Sequence, residues 1–431
     1  MAITARTGLA ALLGAVLVAL FAPSWPGIGA VVALLLLGVL VDLALAGGVR
    51  ALEFRRSGPA AVRLGEQVEV TLTVGNPGGR RVRGVLRDAW QPSAGAVTTR
   101  HRIDIPAGER RRVGTTLLPT RRGDRHADRV TVRSLGPLGL AARQGSHTVP
   151  WRLRALPPFT SRKHLPARLS RLQQLDGRQS VNIRGQGTEF DSLREYVVGD
   201  DVRSIDWRAS ARATDVMVRT WRPERDRRIV IVLDTSRTSA GRVGDAPRLD
   251  AAMDAALLLA ALASRAGDQV DLIAYDRRVR AAVSPMSAAE LLPTLVSAMA
   301  PVEPSLVEFD ARGMVAEVLR RARRRSLVVL LTGLEAAALD EGLLPVLPQL
   351  ASRHRLLLAG IADPRVEQMS RGRGDAQAVY DAAAAERTIA ERHRATALLG
   401  RHGVSVVDAT PDDLPPMLAD RYLALKAAGK L

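Results

Sequence analysis

The chain has 431 residues, with 62 basic and 44 acidic side chains, a formal net charge of +18 and no cysteine. That length allows roughly two to four domains, and 47% hydrophobic residues is too apolar for a disordered chain. The absence of cysteine excludes disulfides, thiolate metal sites, iron–sulfur clusters and a cysteine nucleophile.

Where the charge sits says more than its sum. Residues 1–50 carry +1, residues 51–150 carry +10, residues 151–228 carry +7, and residues 229–431 carry none. A basic block in the middle of a chain suits nucleic acid, an anionic membrane surface or an acidic partner.

From Thr7 to Val41 no residue is charged. That run is too long for one membrane helix of about 20 residues and suits two short ones. Pro23-Ser24-Trp25-Pro26-Gly27 breaks it, so spans are expected at Thr7–Ala22 and Ile28–Ala46. A cleaved signal peptide is the rival reading, and the second apolar span weighs against it. Asp42 falls near the end of the second span, where a carboxylate reaches the interface. Arg6 precedes the hairpin, and Arg50, Arg55 and Arg56 follow it. The positive-inside rule then puts both ends in the cytoplasm. The +10 segment would lie beside the bilayer, where each basic residue is worth about 1 kcal/mol against anionic lipid.

Residues 50–155 read as a β-sandwich. Val68–Val74 alternates apolar and polar, and Gly75-Asn76-Pro77-Gly78-Gly79 supplies a turn. Shorter alternating runs follow at Arg81–Leu86, Val97–Ile105, Arg112–Leu118 and Arg129–Val132. The alternate arginines are expected on the solvated face. Trp90 is the one tryptophan in the strand-rich stretch before Trp151, which gives nucleic acid little to stack on.

Residues 156–224 form a connector whose second half is dense in charge. Glu189, Phe190, Asp191, Leu193, Arg194, Glu195 and Tyr196 lead to Gly199, Asp200, Asp201, Arg203, Ile205, Asp206, Trp207, Ser210 and Arg212. Interleaved carboxylates and guanidiniums predict a bidentate lattice that fixes the connector against the next domain. The competing reading makes Glu189 and Asp206 an acid/base pair of a hydrolase drawing on the acidic residues of 189–206. No histidine or sugar-binding aromatic platform accompanies them.

This run resembles the signature of the bacterial domain of unknown function 58 (DUF 58) family, in which it precedes a von Willebrand factor A-like domain. Arg121-Arg122-Gly123 and Gly136-Pro137-Leu138-Gly139-Leu140 also resemble the family, with Gly136 where the family often has Asp. The resemblance implies a MoxR-type AAA+ ATPase as partner.

Residues 225–431 alternate strand and helix, as in a doubly wound sheet. Strands are expected at Ile229–Leu233, Val270–Ala274, Val279–Val283, Leu327–Leu331, Leu356–Ile361 and Val404–Val407. Helices are expected at 248–266, 287–300, 309–324, 340–354, 376–399 and 412–427. Asp234-x-Ser236-x-Thr238, after the first strand, resembles the von Willebrand loop that holds Mg²⁺ through oxygen ligands. A carboxylate expected after a later strand is replaced by Thr332-Gly333, so the loop reads as degenerate, with Ser305 as a candidate further hydroxyl. Arg320–Arg325 reads as the basic C-terminus of a helix.

The domain organisation is therefore a transmembrane hairpin (1–49), a basic sandwich (50–155), the signature connector (156–224) and a von Willebrand-like α/β domain (225–431). The expected function is a membrane-anchored cytoplasmic scaffold, not an enzyme. Its expected partners are the AAA+ ATPase and an anionic membrane surface. The alternatives are the hydrolase above and a nucleic-acid binder acting through the basic middle.

Overall fold

The computed structural model describes residues 1–431 apart from 22, 183–188, 223–226, 336–338 and 430. The side chains of 176–182, 189–191 and 220–222 also lie outside the described set. The chain divides into two compact units, Met1–Pro158 and Phe159–Leu431.

The first unit begins with a two-residue strand, β1 (Ala2–Ile3), and two apolar helices, α1 (Ala5–Phe21) and α2 (Trp25–Leu45). Ser24 caps α2 by accepting from the Gly27 N–H, and Pro26 occupies its first turn, where a missing N–H costs nothing. α2 is long and apolar enough to cross a membrane, whereas α1 is shorter. The two helices pack closely at Gly14, where any side chain would collide with Val31.

Eight strands follow: β2 (Glu53–Ser57), β3 (Ala61–Arg63), β4 (Val68–Gly75), β5 (Val82–Trp90), β6 (Arg100–Ile105), β7 (Arg110–Leu117), β8 (Gly123–Leu135) and β9 (Ala141–Leu156). One sheet runs β1-β9-β8-β5-β6, with β3 also on β9, and the other runs β2-β4-β7. Alternation decides the faces: Val70, Leu72 and Val74 point inward from β4, and Val82, Leu86 and Trp90 from β5. Leu72, Val74 and Val113 share a core with Val82, Leu86, Val130 and Val132 of the other sheet.

Two expectations need correcting in this unit. The arginines are not all on the solvated face, because Arg56, Arg122 and Arg125 are buried. Arg56 donates to Asp88 through Nη1 (2.9 Å) and Nη2 (2.5 Å), and to the Val149 carbonyl through Nε (2.9 Å). It therefore belongs to the core, not to the charges flanking the hairpin. Asp42 does not reach toward an interface either. Its carboxylate is fully buried and accepts backbone N–H groups from the Leu138–Ala141 turn.

The second unit opens with a 3-10 turn at Thr160–His164 and helix α3 (Leu165–Asn182), then the strands β10 (Glu189–Glu195) and β11 (Met217–Arg222), with α4 (Trp207–Ser210) between them. Its main sheet comprises β12 (Arg228–Asp234), β15 (Gln269–Tyr275), β16 (Val279–Val283), β17 (Leu327–Leu331), β18 (Arg355–Ile361) and β19 (Ser405–Ala409). A two-residue pair, β13 (Arg242–Val243) and β14 (Ala246–Pro247), precedes the largest buried helix. The order is β16-β15-β12-β17-β18-β19, with all neighbours parallel except the edge strand β16.

Continuous apolar runs make this possible: Ile229 to Leu233 is buried on both faces. Helices α5 (Arg237–Ala240), α6 (Arg248–Arg265), α7 (Ala288–Met299), α8 (Ala311–Arg321), α9 (Leu347–Ala351), α10 (Pro364–Ser370), α11 (Ala376–Arg401) and α12 (Leu414–Ala427) connect and cover the strands. α6 is apolar nearly all round, and Leu249 through Ala263 are buried apart from Asp250 and Ala251. Arg320 and Arg321 do end α8, and both pair with Glu317. The helix expected over 340–354 is instead a π turn at Leu339–Leu343 and the short α9, because Pro348 fits only a first turn.

The start of the expected connector docks on this unit. Buried Asp254 of α6 accepts from Thr160 Oγ1 (2.8 Å), Ser161 N (3.1 Å) and Ser161 Oγ (3.0 Å). Burial pushes that carboxyl up, against the pull of these donors. Arg168 of α3 reaches Asp420 of α12 at 2.9 Å.

Candidate functional site

Two candidate sites lie in the second unit. The first is the loop after β12, where Asp234 ends a strand held between β15 and β17. Its carboxylate is completely buried. Oδ1 accepts the Ser236 N–H at 2.7 Å, and Oδ2 accepts hydroxyls from Thr238 (2.7 Å) and Thr332 (2.5 Å). The Ser236 and Thr238 hydroxyls lie 3.2 Å apart. Burial raises the Asp234 pKa, and the hydroxyls and the amide work against it.

Thr332 was legible only as the place of a missing carboxylate. The structure gives it a positive role, as a hydroxyl donor to Asp234. At Gly333 beside it, a side chain would meet the Glu335 carboxylate, which pairs with Arg248 and would have to move aside.

A second carboxylate, Asp276, sits next to the loop and was missed in the sequence. It follows β15 directly, and an acidic residue after a buried strand was the available signal. Thr235 Oγ1 approaches it at 3.4 Å, and Ser305 N donates to the Thr235 carbonyl at 2.7 Å. Burial would raise the Asp276 pKa, but the Arg277 and Arg278 amides, Ser305 and Arg280 bring it below the usual value. Ser305 therefore belongs to this loop cluster, through Asp276.

The donor set can be tested against a hard divalent cation, which wants about six oxygens with several anionic ones. Asp234 supplies one carboxylate, and both its oxygens already accept protein donors. Among the described residues no group of three or more His, Asp or Glu side chains could hold a metal. The residues present do not fit a complete divalent-metal site. What they build is a buried carboxylate ringed by hydroxyls at the carboxyl end of the central strand, where open α/β sheets present ligand-binding loops.

The second site is the signature segment, which folds as an arm. β10 and β11 pair antiparallel, and the chain between them is closed by Asp206 N to Met217 O (2.8 Å) and Tyr196 N to Val216 O (2.7 Å). Gly199 turns the chain with φ +109°, a region disfavoured for side-chain-bearing residues. Arg194 clasps Asp200 with both nitrogens, at 2.7 and 2.6 Å. Asp206 caps α4 by accepting from Arg208 N and Ala209 N, both at 3.0 Å, and pairs with Arg219 at 2.7 Å. Ser210 accepts from Met217 N at 2.8 Å and donates to the Asp206 carbonyl.

Among the described residues, the lattice pairs Arg194–Asp200 and Arg219–Asp206 both close inside the arm. Asp206 is held below the usual carboxyl range, first by the Ala209 amide and then by Arg219. Arg203 and Arg212 are exposed, so neither is a partner in a buried ion pair. Glu189 and Phe190 occupy β10, and their side chains lie outside the described residues.

The arm also holds exposed apolar side chains. Val198 is 94% exposed, Trp207 67%, and Val197 and Val202 61% each.

A family model described as "Protein of unknown function DUF58" matches residues 192–398. The match is to a family of unknown function. It spans just under half of the chain, and holds both the arm and the Asp234 loop. Uncharacterized proteins of Mycobacterium bovis and Mycobacterium tuberculosis are 26% identical over 185 residues, covering 42% of this chain and 57% of theirs. The chain thus matches a little over half the length of these curated relatives. Among solved structures, an aerotolerance-related membrane protein from Bacteroides fragilis aligns with 47% of this chain and 99% of its own, at 12% identity and TM-score 0.29. The CARDB domain of a Pyrococcus furiosus protein, in complex with di-metal ions, aligns with 24% of this chain and 91% of its own, at 16% identity and TM-score 0.19. Scores this low decide nothing about the site.

Proposed function

We propose that this chain is a DUF 58-type, membrane-anchored scaffold whose second unit binds another protein through the 192–222 arm. The observation that carries the reading is the arm's surface. Four large apolar side chains stand in solvent on a segment whose described pairs, Arg194–Asp200 and Arg219–Asp206, both lie within it. Exposed apolar groups beside arginine, with tryptophan among them, are the composition of protein-binding hot spots. Arg203, Arg208 and Arg212 lie exposed on the same segment.

The partner proposed from family resemblance is a MoxR-type AAA+ ATPase. The same resemblance makes the parallel sheet a von Willebrand A-like domain with a degenerate metal loop, in which any Mg²⁺ would rely on Asp234, Ser236 and Thr238. The apolar helices α1 and α2 are proposed as two spans of the cytoplasmic membrane, with both ends inside. Arg6 and Arg50 support that sidedness, while buried Arg56 no longer counts toward it. The basic first unit then faces anionic lipid.

An enzyme reading has little support at Asp206. A carboxylate held ionised, capping a helix and paired with arginine, is poorly prepared to deliver a proton. The test of the scaffold reading is a titration of the full chain, in lipid nanodiscs, with a MoxR-type AAA+ ATPase. Saturable binding weakened by Val198→Asp supports it. Absence of binding, or hydrolase turnover lost with Asp206→Asn, overturns it.

A further inference from the structure

The Gly136–Ala141 turn and the end of α2 meet within the first unit, and their chemistry has a use that the partner proposal does not touch. Asp42 lies one turn from the end of α2 and is completely buried. Its Oδ1 accepts the Leu138 N–H at 2.8 Å, and its Oδ2 accepts those of Leu140 (2.5 Å) and Ala141 (2.9 Å). Three amides converging on one carboxylate make an anion-receiving nest. The turn that forms it closes on itself through Gly136 N to Ala141 O (3.1 Å) and Gly139 N to Gly136 O (3.2 Å), with Gly139 at φ +71°.

The contact is reinforced from both sides. Arg143 Nε of β9 donates to the Leu43 carbonyl at 2.8 Å and Arg80 of the β4–β5 loop donates to that of Ala44, so two carbonyls at the helix end find partners in the β-sheet unit. At the other end of the hairpin, β1 pairs with Ala141 and Ala142. Thr4 and Thr7 donate hydroxyls to the carbonyls of Gly139 and Leu140. Both ends of the apolar hairpin are thus bonded to the same six-residue turn.

Gly136 explains why the carboxylate comes from the helix. A Cβ there would collide with the Asp42 carboxylate, so a side chain at 136 and Asp42 exclude each other. An aspartate at 136 would reach the Leu138 amide by an ordinary Asx turn, from residue i to i+2. We infer that Asp42 is a latch that fixes the apolar hairpin rigidly to the β-sheet unit by filling a carboxylate nest, and that the nest accepts a carboxylate from position 136 in its place. Asp42 is a positioning residue: it sets how the sheet unit stands on the hairpin.

The experiment follows amide hydrogen exchange in the full chain in nanodiscs, comparing wild type, Asp42→Ala, Gly136→Asp and the double variant. Peptides covering 137–142 report the nest, and peptides covering β5 and the middle of β8 report the sheet. Asp42→Ala should speed nest exchange about tenfold or more, since hydrogen bonds to a buried charge are lost, with sheet exchange unchanged. Gly136→Asp alone should also loosen the nest, because two carboxylates compete for it. The double variant should recover protection at the Leu138 amide, the one an Asx turn from 136 reaches, which a merely space-filling role for Asp42 would not allow. Unchanged nest exchange in Asp42→Ala overturns the inference. So does a double variant no better than Asp42→Ala, or loss of sheet protection together with the nest.

Discussion

Arginine and aspartate are paired in both units, and the pairs do opposite work. In the first unit Arg56 and Asp88 have side chains 1% and 0% exposed. Asp88 also accepts from Trp90 Nε1 (2.9 Å) and Thr115 Oγ1 (3.0 Å), and the guanidinium lies 5.2 Å from the Trp90 ring centre. Burial alone would push the Asp88 carboxyl up, yet Arg56, Trp90 and Thr115 together bring it below the usual value. In the arm, Arg194–Asp200 and Arg219–Asp206 are wetted, with the arginines 38% and 45% exposed. Identical chemistry is thus a core component in one place and a surface clasp in the other. Burial, not residue type, decides which.

The largest expected effect follows at once. Asp88→Ala leaves the Arg56 charge buried without its partner and should cost about 3–5 kcal/mol. Thermal or denaturant unfolding of the full chain should show the loss in the first unit, with the second unit retaining its own transition. An unchanged first transition would erase the contrast. Asp200→Ala in the arm, by the same argument, should leave both transitions where they are.

A smaller, pH-dependent effect sharpens the comparison inside the second unit. His354 is buried, and among the described residues neither ring nitrogen finds a hydrogen-bond partner. Burial, helped by Arg353, lowers its pKa from the ordinary 6.5. The unfolded chain therefore takes up the proton first. Stability is full above pH 6.5 and falls as the pH drops from there through the lowered folded value. His354→Leu should flatten that fall in melting curves taken between neutral and mildly acidic pH. Identical pH profiles for variant and wild type would contradict the assignment.

The smallest effect concerns Mg²⁺. With one committed carboxylate at the Asp234 loop, millimolar Mg²⁺ should shift the melting temperature little, since only tight binding to the folded state stabilises. A large shift abolished by Asp234→Ala would show a competent metal site.

Much of the second unit could be read in advance because its signal is local. Ile229–Leu233, Leu327–Leu331 and Leu356–Ile361 are unbroken apolar runs, and each became a buried parallel strand. The first unit was harder. β9, at 16 residues the longest strand among the described residues, carries Arg143, His147, Arg152, Arg154 and Pro150 among its apolar ones, so its alternation is hidden. The buried roles of Arg56 and Asp42 were illegible for another reason. Each depends on partners far along the chain, Asp88 and Val149 in one case and residues 138–141 in the other. The signature residues were visible as a cluster, but only the fold shows that Arg194 pairs with Asp200 and Arg219 with Asp206 within the arm.

The contrast between core pair and surface arm is tested most directly by measuring two quantities on two variants. Full chain in nanodiscs is melted, and titrated with a MoxR-type AAA+ ATPase as the proposed partner, for Asp88→Ala and Trp207→Ala. The account predicts that Asp88→Ala lowers the first melting transition while binding at a temperature where both units stay folded is kept. It predicts that Trp207→Ala leaves melting alone and weakens binding about tenfold or more, the usual cost of removing a hot-spot aromatic. Binding untouched by Trp207→Ala, or lost only in step with its melting temperature, would contradict it.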